Sequence, residues 1–304
     1  MLKLNSCRAE GYDKMAVKIF LLRISSFINS KRPPSVFLHP KNTELMQTVF
    51  IKTKQTINVR FYQTAFLIAF AVLLQACGKK DLRDYYFPLK QLKEQSKVYE
   101  YKISTPDTSF TIYWNYQTIV QGDSIYFVGN CYDSGFHPLV LVREEQVANG
   151  MKLKELIYYG VNKEGYAIKT TATIEGGAVF PFQVTDDKDV FVNVVKYSDP
   201  EDSTIMTTLT RNRRFLQDTS YIFKDKKLDA VEFEMKEEQS EQNNKSGGWT
   251  HIYPIQEIYA KNIGLVYTKR SLDNGVNFET RLVDIYTMKD LEAKFEQHLN
   301  QTKQ

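Results

Sequence analysis

From Val98 onward the chain alternates. Phe110, Ile112, Trp114 and Tyr116 fall on one side of an extended backbone, with Thr111, Tyr113, Asn115 and Gln117 on the other. A period of two belongs to a strand, whereas a helix repeats every 3.6 residues. The same texture predicts strands over residues 124–132, 139–145, 152–161, 166–174, 190–197 and 204–215. It continues over 220–224, 230–235, 249–259, 263–270 and 278–286. Turn residues separate them at 121–123, 162–165, 199–202 and Asp273-Asn274-Gly275, the Asn-Gly pair being a strong hairpin signal. Glu175-Gly176-Gly177 reads as a break, and 240–248, which is small and polar, as a mobile loop. Only the end changes period. Leu291, Phe295 and Leu299 recur every fourth residue, and Thr287 with Asp290 resembles a capping box, so a helix is expected over 288–300. The expected fold is mainly β: a curved antiparallel sheet or partly open barrel of roughly ten strands with a C-terminal helix. No linker divides residues 85–304, which read as one domain.

Ahead of the strands lies an apolar run of ten residues, 65–74, with Lys52, Lys54 and Arg60 before it and Gly78-Lys79-Lys80 after it. In a helix it covers roughly 15 Å, half of a hydrocarbon core, so it suits a secretory signal better than a membrane span. Its end, Leu74-Gln75-Ala76-Cys77, resembles the lipobox of bacterial lipoproteins. That resemblance implies cleavage between Ala76 and Cys77, acyl chains on the Cys77 sulfur and on the new amine, and a membrane partner held through lipid alone. Residues 46–76 then form the signal peptide and 77–84 a tether. Residues 1–45 are an extension too long for a normal leader, with Met46 the better start. Lys79-Lys80-Asp81 is similar to the surface-export tag of some Bacteroidota lipoproteins, but Leu82 interrupts the acidic pair. An outer-membrane anchor facing the periplasm is therefore expected, with the cell surface as the alternative. Tyr85-Tyr86-Phe87-Pro88-Leu89, together with Tyr259 and Ile263-Gly264-Leu265-Val266-Tyr267, resembles segments of uncharacterised Bacteroidota envelope lipoproteins. This resemblance implies a curved sheet and no particular activity.

The overall charge of +4 belongs to the leader. Residues 1–76 hold 11 Lys/Arg against 3 Asp/Glu, and the remaining 228 residues hold 29 against 33, a net of −4. A nucleic-acid partner, which would need a concentrated basic surplus, is not expected. With Cys7 in the leader and Cys77 acylated, Cys131 stands alone, so the mature chain has no internal disulfide and Cys131 reads as a packed thiol.

Candidate chemistry is sparse. His137, His251 and His298 lie far apart, at no metal-ligand spacing, and no phosphate loop, nucleophile elbow or dinucleotide fingerprint occurs. Asp186, Asp187 and Asp189, and likewise Asp199, Glu201 and Asp202, crowd turns without the spacing of a calcium loop. Arg211, Arg213 and Arg214 cluster on a strand, the first two on one face. They read as charged surface, with an anion site as the alternative. No catalytic, metal or cofactor residue is assigned; the acyl chains on Cys77 are the only expected adjunct. Aromatic strands suggest a concave ligand face, for which Tyr113, Trp114, Tyr116, Trp249 and Tyr267 are the candidates. The sequence thus favours a lipid-anchored, non-enzymatic binding or carrier-like β domain. Its partner would be a small hydrophobic ligand or an envelope protein. The alternatives are an envelope or polysaccharide hydrolase and a structural partner in an outer-membrane assembly.

Overall fold

The alternating segments close into a ring. The computed structural model describes residues 79–302 apart from 162–164, 186–188, 200–201, 244–246 and 273–274, with the backbone alone for 298–302. The described part opens with β1 (Lys80–Asp81), a 3-10 turn (Arg83–Tyr85) and α1 (Leu89–Glu94). Then follow β2 (Lys97–Ser104), β3 (Ser109–Gln121), β4 (Ser124–Tyr132), β5 (Pro138–Val147), β6 (Gly150–Val161), β7 (Ala167–Thr171), β8 (Thr173–Pro181) and β9 (Gln183–Val184). The last part holds β10 (Val190–Ser198), β11 (Ile205–Phe223), β12 (Lys226–Asn243), β13 (Gly247–Ala260), β14 (Gly264–Ser271), β15 (Asn277–Tyr286) and α2 (Met288–Thr302). Twelve strands, all but β1, β7 and β9, form a meander in which each pairs antiparallel with the next, and β15 returns to pair with β2. The expected curved sheet is therefore a closed up-and-down barrel. β7 and β8 are one run bent at Ala172, where the Ala172 N–H turns to Leu156 O at 2.9 Å. β7 pairs with the later half of β6, and β8 with its start.

Side chains alternate across this wall. On β12, Val231, Phe233, Met235, Glu237 and Gln239 are buried inside, while Glu234, Lys236 and Glu238 face out. Arg214 and Glu234, paired on the outer face at 2.7 Å, put charge where a membrane-spanning barrel carries its apolar band.

One end of the barrel is sealed by residues 82–92. Leu82 N donates to Phe182 O at 2.8 Å and Asn262 N to Asp84 O at 2.7 Å, so the segment crosses the base from β9 to the β13–β14 turn. It drives Leu82, Tyr86, Phe87 and Leu92 into the interior, each at most 8% exposed. Phe87 lies 4.6 Å from Tyr116 and 4.7 Å from Phe127, and Tyr86 lies 5.2 Å from Phe180, ring centroid to centroid. Burying these two rings and two leucines contributes about 1.5–3 kcal/mol for each side chain. The hydroxyls of Tyr99 and Tyr101 cross from β2 to Ile263 O and Leu265 O, at 3.0 and 2.8 Å, which meets the polar need of those buried rings.

α2 lies on the outer face. Its capping box is present: Thr287 N and Oγ1 donate to Asp290 Oδ2 at 2.9 and 2.7 Å. Leu291 is buried, Lys294 reaches Glu100 at 2.6 Å, and Phe295 meets the edge of Phe136, 5.0 Å away, which in turn stacks on Tyr113.

Three expectations change. Residues 175–177 do not break a strand: β8 runs through them, and a Cβ on Gly177 would stand 2.9 Å from Leu153 O, so close backbone approach explains that glycine. Of the loop 240–248, both flanks are paired. Ser240 lies opposite Thr250, their hydroxyls 2.8 Å apart, and Gln242 lies opposite Gly248. Lys80 and Asp81, expected in the tether, pair with β9.

Candidate functional site

Above the aromatic base, the barrel interior is charged. Leu209, Arg211, Arg213 and Phe215 share the inner face of β11, and Arg211 and Arg213 lie opposite Glu237 and Met235 of β12. Arg213 forms a fork on Glu257 of β13, Nε to Oε2 at 2.7 Å and a terminal nitrogen to Oε1 at 3.1 Å. Arg211 Nε donates to Glu237 Oε2 at 2.6 Å, and Arg270 of β14 approaches Glu237 Oε1 at 2.9 Å, so two guanidinium groups share one carboxylate. Arg270 also lies over the ring of Tyr253, 4.0 Å from its centroid.

Burial works against the charges of Arg211, Arg213 and Glu237, and their partners outweigh it. Arg211 and Arg213 are held above the usual guanidinium range by Glu237 and Glu257 respectively. Glu237 is held below the ordinary carboxylate range by Arg211 and Arg270. Glu144 of β5 differs. Burial pushes it up to about 7, against the pull of the Tyr86 hydroxyl and of Arg213.

The layer is deep but not dry. Arg211 points inward, next to a Glu237 side chain that is 4% exposed, yet 35% of the Arg211 side chain is reachable by solvent. Beside it Asn193 of β10, in direct register with Arg211, is buried with Nδ2 unpartnered, and so is Nε of Arg270. The rings of Tyr158 and Tyr197, 4.2 Å apart, complete this side.

The five aromatic candidates do not share one face. Trp114 and Tyr116 point inward and stack at 5.5 Å, Tyr116 within the sealed base. Trp249 also points inward, on another strand, where it meets His251 at 4.8 Å. Tyr113 is outside under the β4–β5 turn and Phe136, and Tyr267 is outside beneath Arg281, 4.7 Å from its ring. The arginine cluster, read from sequence as surface, divides: Arg211 and Arg213 go in, and only Arg214 goes out. Their phase with Leu209 and Phe215 was the available signal, since a charge in step with core residues faces the core.

Elsewhere, His137 is hydrogen-bonded to Asp133, 3.1 Å away on the outer turn. Asp189 accepts from Thr185 N, and Asp202 from Thr204 N and Oγ1. Among the described residues no group of His, Cys, Asp and Glu is placed to hold a metal ion. Cys131 is buried and its thiol is pushed up by burial. Leu74, Gln75, Ala76 and Cys77, with Asp186, Asp187 and Glu201, lie outside the described residues, as does the His298 side chain.

No protein-family model matches the chain, and neither does any curated protein. Two solved structures are similar in shape. One is a candidate lipoprotein from Parabacteroides distasonis, 12% identical, with TM-score 0.45, covering 68% of this chain and 100% of the other. The other is a candidate exported protein with a YmcC-like fold from Bacteroides fragilis, 12% identical, with TM-score 0.46, covering 66% and 99%. At that depth of similarity neither carries a role over to this chain.

Proposed function

We propose that the chain is a lipid-anchored binding protein of a bacterial envelope, held by acyl chains on Cys77 and taking a small ligand into the barrel. The observation that carries the binding role is the solvent-reachable Arg211 on the inner wall: a purely structural barrel gains nothing from a charged interior that water can enter. The lipobox supports the anchor, and chain length supports the orientation. Cys77 is three residues before Lys80, a reach of about 10 Å, so the acyl chains hold the sealed base at the bilayer. The hairpin turns at the other end then face the aqueous side, in the periplasm by this reading. Two or more acyl chains suffice for stable anchoring without a spanning helix.

Metabolic labelling with an alkyne palmitate tests the anchor: the native chain takes the label and sediments with membranes, while Cys77→Ser does neither. A variant that still sediments, with no acyl mass on the native chain, overturns it. Native mass spectrometry of the detergent-solubilised native chain tests the binding role through a co-purifying small molecule.

A further inference from the structure

We infer that Arg211 and Asn193 form an oxyanion subsite inside the barrel, made for the carboxylate or phosphate group of a small organic ligand. The inference rests on the binding role proposed above and names the chemistry of its ligand.

Glu237 engages only Nε of Arg211. The two terminal nitrogens have no partner among the described residues, and they belong to a side chain that solvent reaches over 35% of its surface. A guanidinium presented this way offers two parallel donors, the match for two oxygens of a carboxylate or phosphate. Asn193 supplies the third donor. It stands directly opposite Arg211 across the β10–β11 pair, so their Cβ atoms are about 5 Å apart on the same inner face. Asn193 is 6% exposed and its Nδ2 is unpartnered. Natural interiors rarely leave such a donor unmet, and an acceptor from a ligand satisfies it.

Charge points the same way. Arg211, Arg270 and the one carboxylate they share leave a unit of positive charge, with Arg270 Nε also buried and unpartnered. Glu241, the next acid on the same strand face, lies one step further toward the rim, where it accepts from the Gln239 amide at 3.0 Å. The rings of Tyr158 and Tyr197, tilted 35° to each other, stand beside Arg211 and provide an aromatic wall for the carbon body.

Calorimetry on the detergent-solubilised full chain with galacturonate, inorganic phosphate and galactose tests this. At least one of the two anions binds, at least tenfold more tightly than galactose. Tighter galacturonate assigns a carboxylate, and tighter phosphate a phosphate. Arg211→Gln and Asn193→Leu each weaken that binding at least tenfold. Arg214→Gln, three residues along the same strand and facing out, leaves it unchanged. Arg211→Gln keeps Glu237 paired with Arg270, so the barrel retains its ion pair, and the melting temperature of each variant reports its fold. Anion binding that survives both inner variants overturns the subsite. So does a co-purifying neutral ligand with no response to either anion, which leaves the binding role standing. Silence to all probes with nothing co-purifying overturns both.

Discussion

The phenolic hydroxyl of Tyr86 donates to Oε2 of Glu144 at 2.7 Å, and so fastens the segment that seals the base to the wall of the barrel. Four titratable or charged neighbours surround that carboxyl: Tyr86, Tyr116 of β3, Arg213 of β11 and Tyr259 of β13.

This contact predicts an unusual pH dependence. Burial raises Glu144 from 4.5 to about 7. Below the unfolded value both states hold the proton and nothing is lost. Between the two values the unfolded chain releases its proton first, so the contribution to stability falls as pH rises, by on the order of 3 kcal/mol. Glu144→Gln removes that slope while keeping an acceptor for Tyr86. In urea unfolding the variant gains on the native chain between pH 5 and pH 8. A difference independent of pH would count against the assignment.

The Arg213–Glu257 fork predicts strong non-additivity. Removing one partner strands a charge that is less than 10% exposed in the whole residue, at a cost of about 3–5 kcal/mol. Arg213→Met with Glu257→Leu strands nothing and recovers most of that loss. A double-mutant cycle by denaturant unfolding measures it, and simple addition of the two single losses would refute the pairing.

Gly264 predicts a third effect. Its φ is +101°, and an added Cβ would stand 2.6 Å from the ring of Phe87. Gly264→Ala combines backbone strain of about 1–3 kcal/mol with overpacking of similar size. It should lower the melting temperature by several degrees and loosen the base, seen as faster amide exchange over 82–92. Gly264→Ala with Phe87→Leu should restore part of the loss, which separates the ring clash from the strain.

Much of the fold was legible because one rule, alternation, covers almost every strand; the helix at 288–300 and its Thr287–Asp290 box were legible for the same local reason. What escaped depends on contacts distant in sequence. Gly176 and Gly177 look like a break until the neighbouring strand approaches them. Ser240 and Gln242 look like a loop until Thr250 and Gly248 pair with them across a hairpin. Arg211 and Arg213 look like surface because their carboxylates stand 26 and 44 residues away. Alternation already set Tyr113 and Trp114 on opposite sides of their strand; what it does not say is which side of the wall is the interior, so the five aromatic candidates mixed the two. Closure into a ring, and with it the meaning of inside, needed β15 to meet β2.

That meeting sets the order of assembly. Residues 277–286 hold the seam shut against 97–104, so the earliest wall strand to emerge waits for the final one. A product that stops short of residue 277 bares the rims of β2 and β14 together, two adhesive margins on one molecule. A late nonsense change would therefore yield a clumping chain, not a smaller working copy.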